Sequence, residues 1–290
     1  MNIQDELINR AGGRSYVLNL PDSEFESFKI SGRYGAKLNN SGLTIISPIY
    51  DEYFIFQGGY AIVKIGHKYG AINKLGEQVL PIEYDCLGDF NEGLARIKIN
   101  GKWGYINAYN KVIIPCQYEA AGNFKMGVAP VRDKGMWFYI FANNKLAILP
   151  KTSYKQVGDF IEGFAVVCSN HDQYGFINKR GEEVIGTKYE KVEPFNNERA
   201  LVRINDKYGF IDYDGNLVIP AIYCRAYSFD KDGLAEVKKK ETLSRDIVTL
   251  YINKKGKVVR EGFRTKGIGR EIAEDGWMLA KLLIRFFSGG

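Results

Sequence analysis

A six-residue motif returns along this chain at a nearly constant spacing, and that return constrains the fold more than anything else in the sequence. The clearest copy is Lys102-Trp103-Gly104-Tyr105-Ile106-Asn107. Its isoleucine recurs as Ile72, Ile106, Ile140, Ile177, Ile211 and Ile252, at intervals of 34, 34, 37, 34 and 41 residues. The aromatic recurs as Tyr34, Tyr69, Trp103, Trp137, Tyr174 and Tyr208, with Thr249 in the last copy. The glycine recurs as Gly35, Gly70, Gly104, Gly175 and Gly209, and Phe138 breaks the series. Copies of this length must stack into an open array or close into a ring.

Other features keep phase. Each motif is followed by Asn or Asp and a turn, then by an apolar run that ends at Pro48, Pro81, Pro115, Pro150 or Pro220. A tyrosine and a phenylalanine six positions apart come next: Tyr50 and Phe56, Tyr84 and Phe90, Tyr118 and Phe124, Tyr154 and Phe160, Tyr189 and Phe195, Tyr223 and Phe229. One unit reads as three antiparallel strands. In 94–99, Ala95, Ile97 and Ile99 share one face and Arg96 and Lys98 the other. Asn100-Gly101 is a strong hairpin signal into the motif strand. That strand is apolar on both faces, which predicts burial on both sides. Gly104 leaves room, expected to be for an aromatic ring of a neighbouring unit. Pro115 closes the third strand because it has no N–H for the ladder. The Tyr-to-Phe segment then crosses to the next unit.

The predicted fold is an all-β repeat array of seven three-stranded antiparallel units. First strands begin near Phe25, Tyr60, Leu94, Val128, Phe164, Ala200 and Leu234. A propeller-like closure is favoured because seven is an ordinary blade number and closure hides both terminal faces; the alternative is an open β superhelix. Strict alternation and β-branched runs argue against a helical repeat. The array spans 25–263. An N-terminal extension, 1–24, holds a short helix ended by Gly12-Gly13 and a possible strand over 16–20. A C-terminal extension, 264–290, is a basic linker followed by an apolar helix over 270–287.

The Lys-Trp-Gly core, its period and the phased Tyr and Phe resemble the WG-repeat (KWG-repeat) proteins of bacteria, over roughly residues 25–263. The resemblance implies a repeat scaffold. It implies no common activity and no shared catalytic residues, so no catalytic role is carried onto this chain.

Composition agrees with a packed chain: 45% hydrophobic and 13% aromatic residues suffice for a core. Asp5, Glu6 and Arg10 interrupt the N-terminal twenty residues, leaving no apolar core of a signal peptide, and no run is long enough to span a bilayer. The expectation is a cytoplasmic protein. Cys86, Cys116, Cys168 and Cys224 fall at four different phases, where a stapled array would place them at one, so they read as reduced. The net charge of +6 is uneven. Residues 236–270 carry eleven Lys or Arg against four Asp or Glu, and the rest of the chain carries 29 against 30.

Catalytic chemistry is not legible. His67 and His171 fall in turns. Two isolated histidines and out-of-phase cysteines give no metal-ligand spacing, and no cofactor is expected. Asp212-Tyr213-Asp214-Gly215-Asn216 superficially suggests a calcium loop, but it occupies the turn phase of the repeat and lacks the remaining ligands. Asp89 with Glu92, and Asp159 with Glu162, recur at one phase and read as turn and cap residues rather than an acid–base pair. The chain is therefore expected not to be an enzyme.

The expected function is a non-catalytic scaffold for protein–protein interaction. One alternative is small-ligand or glycan binding through the aromatics. Another is binding of an anionic surface, nucleic acid or lipid, through the basic C-terminal region. The candidate partner-binding residues are Trp277, Leu279, Leu283, Phe286 and Phe287 of the C-terminal helix, with Lys254, Lys255 and Lys257 before it. Self-association through that helix is a further expectation, since its apolar side chains must cover something.

Overall fold

The computed structural model describes residues 3–241 and 246–265. The helix expected over 270–287 lies outside the described residues, and with it Trp277, Leu279, Leu283, Phe286 and Phe287. The chain divides into two compact units, the first built on residues 1–170 with 177–183 and the second on 171–176 with residues from 184 onward.

Seven antiparallel sheets follow one another among the described residues. The first is Phe25–Ile30, Arg33–Leu38 and Thr44–Tyr50; the second is Tyr60–Ile65, Lys68–Asn73 and Gln78–Tyr84. The third is Cys86–Leu87, Leu94–Ile99, Lys102–Asn107 and Val112–Tyr118; the fourth is Ala120–Ala121, Ala129–Asp133, Met136–Ile140 and Leu146–Ile148. The fifth is Gln156–Ile161, Phe164–Cys168, Tyr174–Asn178 and Glu183–Tyr189. The sixth is Lys191–Val192, Ala200–Ile204, Lys207–Ile211 and Leu217–Tyr223; the seventh is Arg225–Ala226, Leu234–Lys240, Ile247–Asn253 and Val258–Thr265. First strands begin where the phase predicts, except that the fourth starts at Ala129 rather than Val128.

The expected three-stranded unit is corrected for five of these sheets. The crossover after the phased tyrosine is itself drawn into the next sheet as a short fourth strand: Cys86 and Leu87 pair with Lys98 and Ile97. Leu87, Ala121, Val192 and Ala226 are the buried residues that hold these short strands down. At the second sheet Phe54 and Phe56 are buried while Tyr53 is exposed, and the corresponding segment forms no such ladder.

The role of the phased glycine is also corrected. Trp103 pairs with Tyr118 and Tyr105 with Ile114, so Gly104 alone faces Pro115, Cys116 and Gln117. The third strand bulges over the glycine. A Cβ at Gly104 would lie 2.5 Å from the Ile114 carbonyl oxygen and 2.7 Å from the Cys116 nitrogen. Gly35 and Gly175 are equally tight, 2.4 Å from the carbonyls of Ile46 and Ile185. The space is taken by the sheet's own backbone, not by a neighbour's ring. Where Phe138 replaces the glycine, the third strand stops at Ile148 opposite Tyr139, so nothing pairs across Phe138 and only the register shift between Tyr139 and Ile140 is kept; the Phe138 ring instead meets Tyr118 edge-on at 6.1 Å.

Asn100 and Gly101 have φ of 49° and 79°, the left-handed pair that closes a two-residue hairpin of the type their sequence signals. At the N-terminus, helix α1 (Ile3–Arg10) packs on the third strand of the first sheet. The strand expected over 16–20 is instead helix α2 (Arg14–Asn19). Only Val17 of that run is buried, so it follows no strand alternation. Ile8 and Val17 join Leu38, Ile45 and Leu75 in one apolar cluster. Among the described residues no helix is long and apolar enough to cross a membrane.

Candidate functional site

The phased aromatics are assembled by cross-strand pairing. In the third sheet Lys98 stands opposite Trp103, and Trp103 opposite Tyr118. The same row is Lys29, Tyr34 and Tyr50 in the first sheet, Lys64, Tyr69 and Tyr84 in the second, and Arg203, Tyr208 and Tyr223 in the sixth. Each cation sits over the motif ring, at 5.0 Å for Lys29, 5.1 Å for Lys64, 5.5 Å for Lys98 and 5.9 Å for Arg203. The motif rings are half-buried and the third-strand tyrosines buried. Sugar stacking needs an open ring face; here that face holds a cation of the same sheet.

In the third to sixth copies a second aromatic of the motif lies deeper. Tyr105 and Tyr139 are fully buried, and their hydroxyls donate to the carbonyls of Gly122 (2.8 Å) and Gly158 (2.7 Å). Burial pushes both hydroxyls well above the ordinary tyrosine range. Their rings pack on Phe124 and Phe160, both at 4.8 Å between centroids. These are core positions.

The carboxylates are likewise spent on structure. Asp85, the residue after a phased tyrosine, accepts the backbone N–H of Asn100 at 2.8 Å in the hairpin ahead and Lys68 Nζ at 2.6 Å from the hairpin behind. Asp51 does the same with Gly66 and Arg33. Glu119 and Glu190 accept from the N–H groups of Gly135 and Asp206. Sequence reasoning missed this carboxylate; the signal was the acid directly following Tyr50, Tyr84, Tyr118 and Tyr189. Glu92 accepts from Gly127 N–H at 2.9 Å, the capping role its phase suggested. Asp159 is half-buried, and burial raises its carboxyl above the usual range. Asp212 lies in a hairpin turn, where its Oδ1 accepts from the N–H groups of Asp214 (3.1 Å) and Asn216 (2.9 Å). His67 and His171 are exposed in turns.

Two surface depressions stand out among the described residues. One, of about 220 Å³, lies at the second sheet where the fourth strand is missing, between exposed Tyr53 and Ile55 and the half-buried Ile62 and Tyr69. Lys64 is held there by Glu52 at 2.5 Å. The other, of about 570 Å³, lies on the seventh sheet in the second unit. Its floor is Val248, Leu250 and Val258, and Lys239, Lys240 and Arg264 stand around it. Arg264 pairs with Glu241 at 2.8 Å, and Glu261 completes the wall.

The structure brings the basic region to this sheet but not all of its lysines to the groove. Lys254, Lys255 and Lys257 occupy the turn between the last two strands, where Asn253 Oδ1 accepts the N–H groups of Lys255 (3.0 Å) and Lys257 (3.1 Å). Lys254 Nζ reaches Glu198 at 3.0 Å, and that bond holds the Glu198 carboxyl below its usual range. Lys255 and Lys257 are exposed. The groove residues Val248, Leu250, Val258 and Arg264 come from the last two strands, consecutive in the chain, and it is their irregular register that sets these residues together.

A family model described as WG containing repeat matches residues 38–69, 69–103, 103–137, 174–208 and 208–242, more than half of the chain. The copy with Phe138 in the glycine's place falls between the third and fourth matched stretches. No curated protein matches. Among solved structures, Hsv2p of Kluyveromyces lactis is similar at 8% identity over 84% of this chain and 96% of its own, with a TM-score of 0.48. BamB from Moraxella catarrhalis is similar at 9% identity over 78% of this chain and 80% of its own, TM-score 0.45. The WD40 beta propeller domain of Doa1 is similar at 9% identity over 71% and 79%, TM-score 0.37.

Proposed function

The chain belongs to the WG containing repeat family, and from that premise we propose that it is a non-catalytic scaffold that binds another protein. The observation that carries this reading is where the phased polar groups are spent. Motif-phase cations lie over the rings of their own sheet, post-tyrosine carboxylates hold hairpin N–H groups, and buried hydroxyls bond crossover carbonyls. Several positions that differ between copies are exposed, as at Tyr109 in a turn (90% exposed), Ile55 at the second sheet and Phe263 on the last strand. A rigid array with variable exposed positions is built for recognition.

The test is native affinity capture with the full chain as bait, run beside Tyr109→Ser and Phe263→Ser baits. Both substitutions are at exposed positions and leave stability within about 0.5 kcal/mol. A protein recovered near stoichiometry with the unaltered bait, and depleted with one of the altered baits, supports the scaffold. Recovery of the bait alone, or with only a small metabolite, counts against it.

A further inference from the structure

The crossover into the second sheet runs out of step with the one into the third. Ahead of Phe90 the residues are Leu87, Gly88 and Asp89, with Leu87 buried and Asp89 exposed. Ahead of Phe56, at the same spacing, they are Tyr53, Phe54 and Ile55. Here Tyr53 is 62% exposed, and it is Phe54 that is buried, edge-on to Tyr50 and Phe56 at 5.5 and 6.1 Å. The anchor has moved by one residue, which turns the neighbouring side chains over and takes the backbone out of register with the strand beside it.

The slip leaves a gap in the edge of Tyr60–Ile65. Residues two apart on a strand aim their backbone groups the same way. The Lys64 carbonyl accepts the Asp51 N–H at 2.9 Å, and Tyr60 exchanges two bonds with Gln57, at 2.8 and 3.2 Å. Ile62 lies between Tyr60 and Lys64 and aims its groups toward the crossover as they do. In the third, fourth, sixth and seventh sheets the equivalent carbonyls, of Arg96, Pro130, Leu201 and Glu236, accept a crossover N–H at 2.8 to 3.0 Å. Among the described residues the outward N–H and C=O of Ile62 have no backbone partner. Ile62 lines the depression of about 220 Å³ together with Tyr53, Phe54 and Ile55 of the crossover, so these two groups open onto it.

The gap is one residue long. Asp51 and Gln57 close it on either side, so an extended peptide has no room to lie along it. A donor and an acceptor on one residue match a ring that carries a carbonyl and an N–H side by side. The exposed Tyr53 ring and the Ile55 side chain give that ring an apolar wall to lie against. We propose that the second sheet binds a small planar lactam-type heterocycle, such as a pyrimidinone, held at its edge by the Ile62 N–H and C=O and flanked by Tyr53 and Ile55. Such a site is independent of the scaffold reading, and either can fail alone.

The probes are uracil, its N,N′-dimethyl derivative and acetamide, each titrated into the full chain and followed through the backbone amide resonances. Uracil shifts the Ile62 amide and binds about ten-fold more tightly than dimethyluracil, which leaves the Ile62 carbonyl without a donor. Acetamide keeps the edge, lacks the ring and binds about ten-fold more weakly than uracil. Tyr53→Ser with Ile55→Ser, both at exposed positions, weakens uracil about five-fold and leaves amides away from the depression unshifted. With no probe present, the Ile62 amide exchanges faster than those of Ala61 and Val63, which point into the sheet opposite Ile72 and Gly70. Ile62 exchange as slow as theirs overturns the proposal, because the gap would then be closed. Equal binding of uracil and dimethyluracil, an unshifted Ile62 amide, or uracil binding unchanged in the double variant also overturns it. Acetamide binding as tightly as uracil does so too, and assigns the gap to a side-chain amide of a partner protein.

Discussion

The first and last sheets of the array solve the same problem with opposite chemistry. Each ends a series in which every sheet expects a neighbour. The first is closed by hydrocarbon: α1 and α2 place Ile8 and Val17, 2% and 0% exposed, into a cluster with Leu38, Ile45 and Leu75. Lys74, 7% exposed, ties that end down by donating to the Leu20 carbonyl and pairing with Asp22 at 2.9 Å. The last sheet ends in a strand exposed at every position, with Arg260 laid over Tyr251. The first sheet is covered, and among the described residues the last strand of the seventh is solvated. The lesson is that one repeat frame accommodates both a covered and a solvated sheet.

That contrast can be broken most forcefully at Val17. Val17→Asp places a charge where no partner exists and costs more than about 4 kcal/mol. Amide exchange should accelerate first in 25–50, and equal acceleration in 247–265 would contradict the assignment of Val17 to one end. Ile8→Ala leaves a cavity in the same cluster and costs about 2–4 kcal/mol in thermal or denaturant unfolding. Lys74→Met keeps the stem and strands Asp22. With Asp22 partly exposed the cost is about 1–2 kcal/mol.

Acid sharpens the comparison. Burial raises the Asp22 carboxyl, but bonds from Lys74 and from the N–H groups of Gly59 and Gly58 outweigh it, leaving the group below the ordinary aspartate value of 3.8. A depressed carboxylate contributes stability that is present above the unfolded value and lost as pH falls through the folded one. The first end should therefore loosen as pH drops below about 3.8, and Asp22→Asn should remove that part of the acid response in a pH-resolved exchange experiment. The smallest effect belongs to the other end. Phe263→Ser changes the unfolding midpoint by an amount equivalent to less than about 0.5 kcal/mol, and a loss of several times that would mean the ring is covered.

Much of this architecture was legible because phase reports which residues share an environment. Asn100-Gly101 named its own hairpin, and the tyrosine–phenylalanine spacing located every crossover. Gly104 shows where phase stops. The repeat says that nothing larger than hydrogen fits there, but not what fills the space. The filler is a bulge around Pro115, which strand alternation does not encode. Phe138 marked an exception without revealing that the third strand would end at Ile148. In four of the five sheets the crossover's fourth strand was missed because a two-residue pairing leaves no periodic trace. Tyr16 to Leu20 was ambiguous for the same reason, since one buried residue in a short run fits a helix or a strand. At the candidate site, composition located the basic region and no more. Lys254 is spent on Glu198, whereas Lys239, Lys240 and Arg264 reach the groove from strands whose pairing had to be seen.

The carboxylate that follows four of the six phased tyrosines has a consequence for how such a chain can lengthen. Asp85 grips Asn100 in the hairpin ahead and Lys68 in the hairpin behind. A tandemly copied segment would therefore arrive with its own clasp and with the eye that receives its predecessor's clasp. Copy number can drift by whole units without any compensating change, while insertions of other lengths separate clasp from eye. Divergence within a unit is then tolerated wherever neither is touched, which is the freedom a recognition surface needs in order to change its target while its frame is inherited intact.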